Sequence, residues 1–520
     1  MTGRTNEAQP AAVSEGAKQA GEIWRRWSWV ERTVWTERML TALEQGVKGG
    51  RWFSLMDKVT DPKTLGRGFE QVKANDGAAG VDRQSVEDFE RNLSQNLKHL
   101  SEQLRDGTFQ PQPVRRVWID KLGNREKRPL GIPTVRDRVV QTALRMVLEP
   151  IFERGFAEHS YGFRPNRGCK DALRRVDDLL KQGYTWIVDA DLKSYFDTIP
   201  QDRLKQRVEE KVSDGRVIGL VEQYLQQQVM DSGKSWTPEA GTPQGAVLSP
   251  LLSNIYLDPL DQVMAAAGIE MVRYADDFVI LSRSQREAEH ALEQVRQWTV
   301  EAGLVLHPVK TRIVDATQPG GFDFLGYHFE CGQRWPREKS LRKFRDTLRV
   351  KTRRTNGHSL KGIVEDLNRT LKGWFGYFQH SDPKTFRTED GWVRGRLRSI
   401  LRKRSGREGR GRGWDHQRWP KAFFAKQGLF SLKHAQILNE VKPPTGEPHA
   451  GNPHVRFGGR GSSTLSLPLS VYLPRQPPRP AAFAPFVKGE LGALVQLCSG
   501  RRETEIHRYL RHHFHGLSIQ

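Results

Sequence analysis

Residues 268–282 read GIEMVRYADDFVILS, two short apolar runs on either side of the adjacent aspartates Asp276 and Asp277. On a regular strand neighbouring side chains point to opposite faces, whereas a hairpin tip can present both carboxylates to one site. Adjacent buried carboxylates are costly unless cations neutralise them, and Mg²⁺ prefers hard oxygen ligands. Aspartate pairs are common on surfaces, but the apolar flanks here favour a buried hairpin that holds a divalent metal.

A third carboxylate for such a site lies upstream, in TWIVDADLKSYFD at residues 185–197. Asp191 ends an apolar strand, and Asp189 shares its face because side chains alternate along a strand. An ion pair with a nearby Lys or Arg is the preferred interpretation of Asp189. Two-metal phosphoryl transfer uses ions about 3.5–4 Å apart. Asp191, Asp276 and Asp277 together are therefore predicted to bridge two Mg²⁺ ions.

The overall charge predicts a polyanionic partner. Lys and Arg outnumber Asp and Glu by 83 to 61, which leaves a net charge of +22 on 520 residues. Such an excess is typical of proteins that bind nucleic acid. On charge alone, a basic protein with a solvated surface remains an alternative. The 37% hydrophobic content is enough for packed cores and excludes a wholly disordered chain.

Cysteine usage and hydropathy predict the compartment. Cys169, Cys331 and Cys498 form no CxxC pair, which argues against a disulfide framework or a zinc site. The N-terminal residues lack the apolar core of a signal peptide, and no apolar run reaches the roughly 18 residues of a membrane helix. We therefore expect a soluble cytoplasmic protein with no membrane partner.

Helical periodicity and short hairpin strands alternate along the chain, which favours an α+β fold over a doubly wound α/β fold. Single helices are expected over 84–106 and 201–230, and a strand over 114–119. The predicted organisation is a tail and Trp/Arg-rich helix at 1–52, an N-terminal extension with fingers at 53–180, a catalytic palm at 181–335, a helical thumb at 336–440, and a poorly ordered Pro/Gly-rich tail at 441–520.

The order of motifs resembles that of a known family. ADLKSYFD, GTPQGAVLSPLLSNIYL, RYADDFVIL, HPVKT and FDFLGYHF resemble the successive palm motifs of reverse transcriptases, and RPLGIPTVRDRVVQ and SYGFRPNRG look like finger motifs of the group II intron branch. GIVEDLNRTLKGWFGYF is similar to the maturase-specific thumb, domain X. The resemblance implies a right-hand polymerase, with fingers and palm followed by a helical maturase thumb.

The resemblance also implies roles in nucleotide binding. Asp191, Asp276 and Asp277 would hold the catalytic ions. Phe196 would be the steric gate that rejects a ribose 2′-hydroxyl and so selects dNTP substrates. Gln244 and Gly245 would line the nucleotide pocket. Either Lys127 or Arg128 would meet the triphosphate, and the resemblance does not decide between them.

Primer and template contacts follow in the same way. Lys310 matches a basic residue beside the primer end, and Tyr274 is assigned to the same primer/template region. Arg164 serves either the template backbone or the fold of the fingers, and the sequence leaves both roles open.

RNA-binding residues are predicted in the C-terminal helical region. The basic run contributes Arg402, Lys403 and Arg404, which would contact phosphates. Trp374 would stack on RNA bases or, as the favoured alternative, pack the core of the thumb.

The predicted activity is RNA-directed DNA synthesis that copies intron RNA, together with binding of the group II intron RNA to assist splicing and mobility. The expected partners are that intron RNA, an RNA template with a DNA primer, and target DNA. Two other hypotheses compete: a splicing cofactor whose polymerase site has decayed, and a retron or defence enzyme. No HNH nuclease framework is found around Cys498, and residues 447–457 are also hypothesised to be translated ribozyme sequence.

Overall fold

The computed structural model describes residues 22–47, 49–120 and 127–441. The described chain forms two compact units, one up to Gly332 and the other from Gln333 onward. Two expectations lie outside the described residues: the N-terminal tail up to residue 21, and the tail from 442 with its ribozyme hypothesis.

Strands of the first unit form two four-stranded sheets and one further antiparallel pair. Their order is β2-β1-β4-β5 in the fingers sheet and β6-β7-β3-β8 in the palm sheet, and β9 pairs with β10. The strands are β1 Val114–Asp120, β2 Lys127–Ile132, β3 Trp186–Asp191, β4 Val229–Asp231, β5 Lys234–Trp236, β6 Glu270–Tyr274, β7 Asp277–Ser282, β8 Arg312–Asp315, β9 Phe322–Phe324 and β10 Tyr327–Glu330, and β11 Gln333–Pro336 opens the second unit.

Helices surround these sheets. Those of the first unit are α1 Glu37–Gln45, α2 Met56–Thr60, α3 Pro62–Asn75, α4 Val86–Arg91, α5 Leu93–Asp106, α6 Val135–Glu153, α7 Cys169–Lys181, α8 Tyr195–Thr198, α9 Gln201–Glu209, α10 Gly215–Leu225, α11 Ser249–Ala266 and α12 Gln285–Glu301. Those of the second unit are α13 Glu338–Lys351, α14 Leu360–Phe378, α15 Pro383–Arg404, α16 Gly413–Arg418, α17 Lys421–Lys426 and α18 Leu432–Val441.

Two of the predicted helices were too long. The helix expected over 84–106 is two helices, because Asn92 leaves the helical region at φ −120° and ends α4. The helix expected over 201–230 is also interrupted, since Asp214 caps a new helix by accepting hydrogen bonds from the backbone N–H of Arg216 and Val217. Its last residues belong to β4, which the apolar periodicity did not distinguish from a helix.

The Trp/Arg-rich segment packs onto the helical core. Trp35 is fully buried, and its indole N–H donates to the Met146 carbonyl oxygen on α6 at 3.0 Å. Trp27 is also buried, and its indole N–H donates to the Glu44 carboxylate at 3.1 Å. The Trp35 contact joins this segment to α6, the longest described helix of the first unit.

The palm sheet buries one face against helices. Val188 and Ala190 on β3, together with Phe278 and Ile280 on β7, belong to the main hydrophobic core. Alternate residues of a strand point to opposite faces, so Asp189 and Asp191 lie on the face turned away from that core. The alternation of side chains along β3 therefore places Val188 and Ala190 on one face and the two carboxylates on the other.

A buried carboxylate lies at the start of α6. Asp137 is fully buried; one of its oxygens accepts from the Thr134 hydroxyl at 2.6 Å and from the Gln112 backbone N–H at 3.1 Å. Its other oxygen has no hydrogen-bond partner among the described residues. Burial raises the pKa of Asp137 from 3.8 to about 6 because the charged form loses hydration, and the Thr134 hydroxyl only partly offsets this.

This carboxylate should make stability depend on pH. The pKa of Asp137 is higher in the folded chain than in the unfolded chain, so the folded chain binds the proton more tightly. The stabilising contribution of this protonated carboxyl to the free energy of unfolding is therefore fully present below pH 3.8 and is lost as the pH rises through about 6. From below pH 3.8 to above pH 6 the loss is about 3 kcal/mol, of which about 2 kcal/mol falls between pH 4.5 and pH 7. Urea unfolding of the full chain at these two pH values should show the loss of about 2 kcal/mol, and Asp137→Asn should remove it. An identical pH dependence in the variant would contradict the assignment.

The second unit is helical, with its own core. Phe344, Leu367, Phe375, Phe386 and Leu397 are buried in it. Asp390 on α15 accepts hydrogen bonds from the Ser431 hydroxyl at 2.6 Å and from the Leu432 backbone N–H at 3.0 Å, which fixes the start of α18. Among the described helices of both units, none combines the length and the apolar composition of a membrane span.

Candidate polymerase active site

The aspartate pair lies at a tight hairpin, as the sequence predicted. Tyr274 at the end of β6 pairs with Asp277 at the start of β7, so only Ala275 and Asp276 form the turn. Ala275 has φ +59°, a left-handed conformation that is uncommon for a residue with a side chain. Such a turn persists only when its surroundings hold it in place.

Asp191 lies directly opposite Asp277. The antiparallel register of β3 and β7 pairs these two residues, and both residues are buried, at 5% exposure. Residues opposite each other in an antiparallel pair share a face, with Cβ atoms about 4.5–5.5 Å apart. The strand-end aspartate and one member of the hairpin pair therefore converge on one site.

Asp276 stands differently from these two. It lies in the turn and is half-buried. In the described part of the chain, no three His, Cys, Asp or Glu side chains are grouped so that they could hold a metal ion. The structure thus brings Asp191 and Asp277 together, because strand pairing places them opposite each other. It does not show Asp276 converging with them.

Lys310 contacts the aspartate site directly. Its Nζ lies 2.8 Å from Asp191 Oδ2, and the Asp191 side chain is only 7% exposed while that of Lys310 is 60% exposed. This ammonium ion supplies positive charge at the position where a cation is predicted. The role at the primer end that the sequence indicated for Lys310 stays a prediction, since its observed partner is the carboxylate.

The ion pair expected for Asp189 is present. Arg312 on the neighbouring strand β8 places its Nε 3.5 Å from Asp189 Oδ2. Asp189 is thereby occupied by a structural partner, although it shares a face with Asp191. The ion pair is the one that the preferred interpretation of Asp189 predicted.

The residues predicted for the nucleotide pocket surround a common space. Phe196, Gln244 and Gly245 line a cavity of about 240 Å³, together with Leu130 and Gly131 of the fingers sheet. Gly245 has φ +103°, and a Cβ on it would lie 2.5 Å from the Gly131 carbonyl oxygen. Only glycine permits so close an approach between the two backbones.

Gln244 joins the fingers to the palm. Its side-chain oxygen accepts from Arg128 Nε at 3.0 Å, and its side-chain nitrogen donates to Asp197 Oδ1 at 3.0 Å. Arg128 is half-buried in this contact, whereas Lys127 is exposed at the beginning of β2. Of the two candidates for the triphosphate, Arg128 contacts a residue that lines the cavity, whereas neither Arg128 nor Lys127 lines it directly.

Two residues assigned to primer and template are buried. Tyr274 is 2% exposed, and burial raises the pKa of its hydroxyl. Arg164 is also buried; its guanidinium donates to the Glu153 carboxylate at 2.8 Å and to the Ser160 carbonyl oxygen at 2.9 Å. These positions do not support a nucleic-acid contact for Tyr274, and for Arg164 they favour the role in the fold that the sequence left open.

Comparison with known proteins agrees with this geometry. Residues 119–329 match the family described as reverse transcriptase (RNA-dependent DNA polymerase), and residues 341–419 match the group II intron, maturase-specific domain. Protein YkfC of Escherichia coli is 33% identical over 52% of this chain and 82% of its own length. The chain belongs to the group II intron-encoded reverse transcriptases.

A second relative is itself named as a group II intron-encoded protein. The group II intron-encoded protein LtrA of Lactococcus lactis is 37% identical over 44% of this reverse transcriptase, but the match spans only 37% of LtrA. The similarity thus covers about a third of that relative. A solved structure, the partial Cas6-RT-Cas1--Cas2 complex, is 26% identical over 48% of this chain and 41% of its own, with a TM-score of 0.31, which is too low to carry an argument.

The predicted RNA-binding residues lie in the maturase-specific domain of this reverse transcriptase. Trp374 stacks on Phe344 with ring centroids 4.2 Å apart, so it packs the core, as favoured. Arg402 pairs with Asp415 at 2.6 Å, and Arg404 donates to the Asn356 carbonyl oxygen at 3.2 Å. Lys403 and Arg404 are both exposed, whereas Arg402 is half-buried.

One buried residue next to the aspartate hairpin was missed by the sequence reasoning. Arg273 precedes the catalytic hairpin, and its side chain is fully buried. A charged residue inside the apolar strand EMVRY was the available signal, because a buried charge requires partners.

Proposed function

We propose that this reverse transcriptase extends a DNA primer along an RNA template with two Mg²⁺ ions, and that it binds its own group II intron RNA to assist splicing and mobility. The observation that carries the proposal is the pairing of Asp191 with Asp277 across β3 and β7. The cavity of about 240 Å³ lined by Phe196 and Gln244 belongs to the same unit, although the three aspartates are not among its lining residues.

The donor chemistry at the hairpin fits Mg²⁺. Asp191 and Asp277 offer only carboxylate oxygens, which are the ligands this ion prefers. The Lys310 ammonium at 2.8 Å from Asp191 indicates that the site attracts positive charge. Asp191 and Asp277 would hold the ions, with Asp276 as the third proposed ligand. When bound, two Mg²⁺ ions would activate the primer 3′-oxygen and stabilise the departing pyrophosphate.

The surrounding side chains would select and orient the nucleotide. Phe196 is buried at the cavity wall, where its ring would exclude a ribose 2′-hydroxyl. Arg128 would supply positive charge to the triphosphate from the fingers. Gln244 is hydrogen-bonded to both Arg128 and Asp197, so it would fix the position of β2 relative to α8.

Intron RNA binding is proposed for the maturase-specific domain. It is supported by the match over residues 341–419 and by the net charge of +22. Phosphate contacts from basic side chains supply most sequence-independent affinity for nucleic acid, and exposed Lys403 is suited to such contacts. Target DNA is proposed as a further partner, and the cytoplasm as the compartment, since the cysteine spacing suits a reducing environment.

Splicing and DNA synthesis can be tested together with the full chain. Intron RNA is incubated at low Mg²⁺ with and without the protein, and a structured RNA of equal length serves as the control. Protein at 100 times its Kd would stabilise the folded RNA by about 2.7 kcal/mol. We therefore expect the protein to accelerate splicing of the intron at least tenfold and to have no such effect on the control RNA. Primer extension without any effect on splicing would refute the intron role and leave the polymerase assignment intact.

A further inference from the structure

Arg273 forms a closed hydrogen-bond network beneath the catalytic hairpin. Its Nε donates to Asp261 Oδ1 at 2.7 Å, its Nη1 to Asn254 Oδ1 at 3.0 Å and to the Ala275 carbonyl oxygen at 2.8 Å, and its Nη2 to Ser160 Oγ at 2.8 Å and to Asp261. A guanidinium has five N–H donors, and each of them has an acceptor here.

The partners of Arg273 come from three separate parts of the first unit. Asn254 and Asp261 belong to α11, Ser160 belongs to the loop after α6, and Ala275 is the turn residue before Asp276. All three polar partner side chains are buried, with exposures of 1%, 4% and 0%. Arg273 therefore ties the turn to two neighbouring elements at once.

The loop at Ser160 also runs alongside the hairpin. The Tyr161 N–H donates to the Arg273 carbonyl oxygen at 2.8 Å, and the Arg273 N–H donates to the His159 carbonyl oxygen at 3.0 Å. Asn254 donates in addition to the Gly162 carbonyl oxygen at 2.8 Å. The same helix thus holds both the arginine and the loop that supports the turn.

The turn itself requires such support. Ala275 is held at φ +59°, and a non-glycine residue in this region costs about 1–3 kcal/mol unless its surroundings impose it. The hydrogen bond from Arg273 ends on the carbonyl oxygen of that same residue. Asp276 is the next residue in the chain, so any relaxation of Ala275 would displace its carboxylate.

We propose that Arg273 is a positioning residue that sets the Ala275–Asp276 turn for metal binding, through its contacts with Asp261, Asn254 and Ser160. The inference rests on the proposed two-metal polymerase function. It assigns Arg273 no contact with substrate. Its effect should appear in metal affinity and turnover more strongly than in the KM for dNTP.

Two variants separate geometry from folding. Arg273→Lys keeps the positive charge against Asp261, but one ammonium cannot reproduce the planar fork. The double variant Arg273→Met/Asp261→Leu removes the pair as a unit, so that no lone charge is buried. As a matched control, Arg345→Met/Glu389→Leu makes the same change in the second unit, where Arg345 Nε donates to Glu389 at 3.1 Å.

The experiment measures Mn²⁺ binding to the full chain by electron paramagnetic resonance, primer extension per folded molecule, and Tm. We expect Arg273→Lys to stay folded, with at least fivefold weaker Mn²⁺ binding, at least thirtyfold lower kcat, and a dNTP KM within threefold of wild type. The double variant should show the same losses, and the control should show none.

Wild-type Mn²⁺ affinity and kcat in folded Arg273→Lys would overturn the inference. So would losses that vanish once activity is expressed per folded molecule. A wild-type chain that neither binds Mn²⁺ nor extends a primer would instead refute the proposed function, so the two failures are distinguishable.

Discussion

Replacing Asp191 by asparagine should lower the rate of primer extension by at least about 10³-fold, which corresponds to about 4 kcal/mol. Asp191 is buried opposite Asp277. The amide of the asparagine variant would keep the size and shape of the side chain but remove the negative charge that would hold a divalent ion. Single-turnover extension of a DNA primer on an RNA template measures the effect. Asp276→Ala should cause a comparable loss while intron RNA binding stays largely intact.

Asp189 provides the matched control for this experiment. It lies on the same strand and the same face as Asp191 but pairs with Arg312 at 3.5 Å. The Arg312 side chain is 47% exposed, and partly exposed ion pairs of this kind contribute about 0–1 kcal/mol. We expect Asp189→Asn to retain activity within about threefold. Equal losses in both variants would show that the strand tolerates neither change, and would remove the support for the metal site.

Replacing Gly162 by alanine should reduce primer extension by at least about 10²-fold. A Cβ on Gly162 would lie 2.8 Å from the Tyr274 carbonyl carbon and closer still to the Ala275 nitrogen. These are backbone atoms of the catalytic hairpin, so the turn that carries Asp276 must shift to make room. Overpacking of this kind also costs about 1–3 kcal/mol of stability. Activity per folded molecule and Tm, measured together, separate the two effects.

Gly155 is the matched control for the steric argument. A Cβ there would also make a very short contact, but its neighbour is the terminal ammonium of Lys211. A flexible side chain can move aside, whereas the hairpin backbone cannot. We expect Gly155→Ala to keep near wild-type activity. If Gly162→Ala extends primers as well as Gly155→Ala does, the close packing of this loop is not needed to place the hairpin.

The polymerase motifs were recognisable in the sequence because their signals are local. The apolar runs around Asp276 and Asp277 predicted a hairpin, and alternation along β3 predicted which residues share a face with Asp191. Each of these conclusions depends on residues that are neighbours in the chain.

Other assignments depended on contacts between distant residues, which the sequence does not display. Tyr274 and Arg164 are polar and lie in functional motifs, yet both are buried. Trp374 has the chemistry to stack on RNA bases, but Phe344 occupies its face. Lys310 was expected at the primer end, and its ammonium lies against Asp191. Burial and pairing decided these cases, and both follow from packing between elements far apart in the chain.

By itself, the sequence determined the class of fold, the order of its motifs and the chemical identity of the candidate site, because residue type and local periodicity carry that information. Only the tertiary structure decided that Asp191 stands opposite Asp277, since register between β3 and β7 arises from pairing across the sheet. It also decided that Arg273 lies beneath the turn with every donor satisfied. A buried arginine has to find its acceptors wherever the fold brings them, and here the fold brings them from α11 and the loop at Ser160.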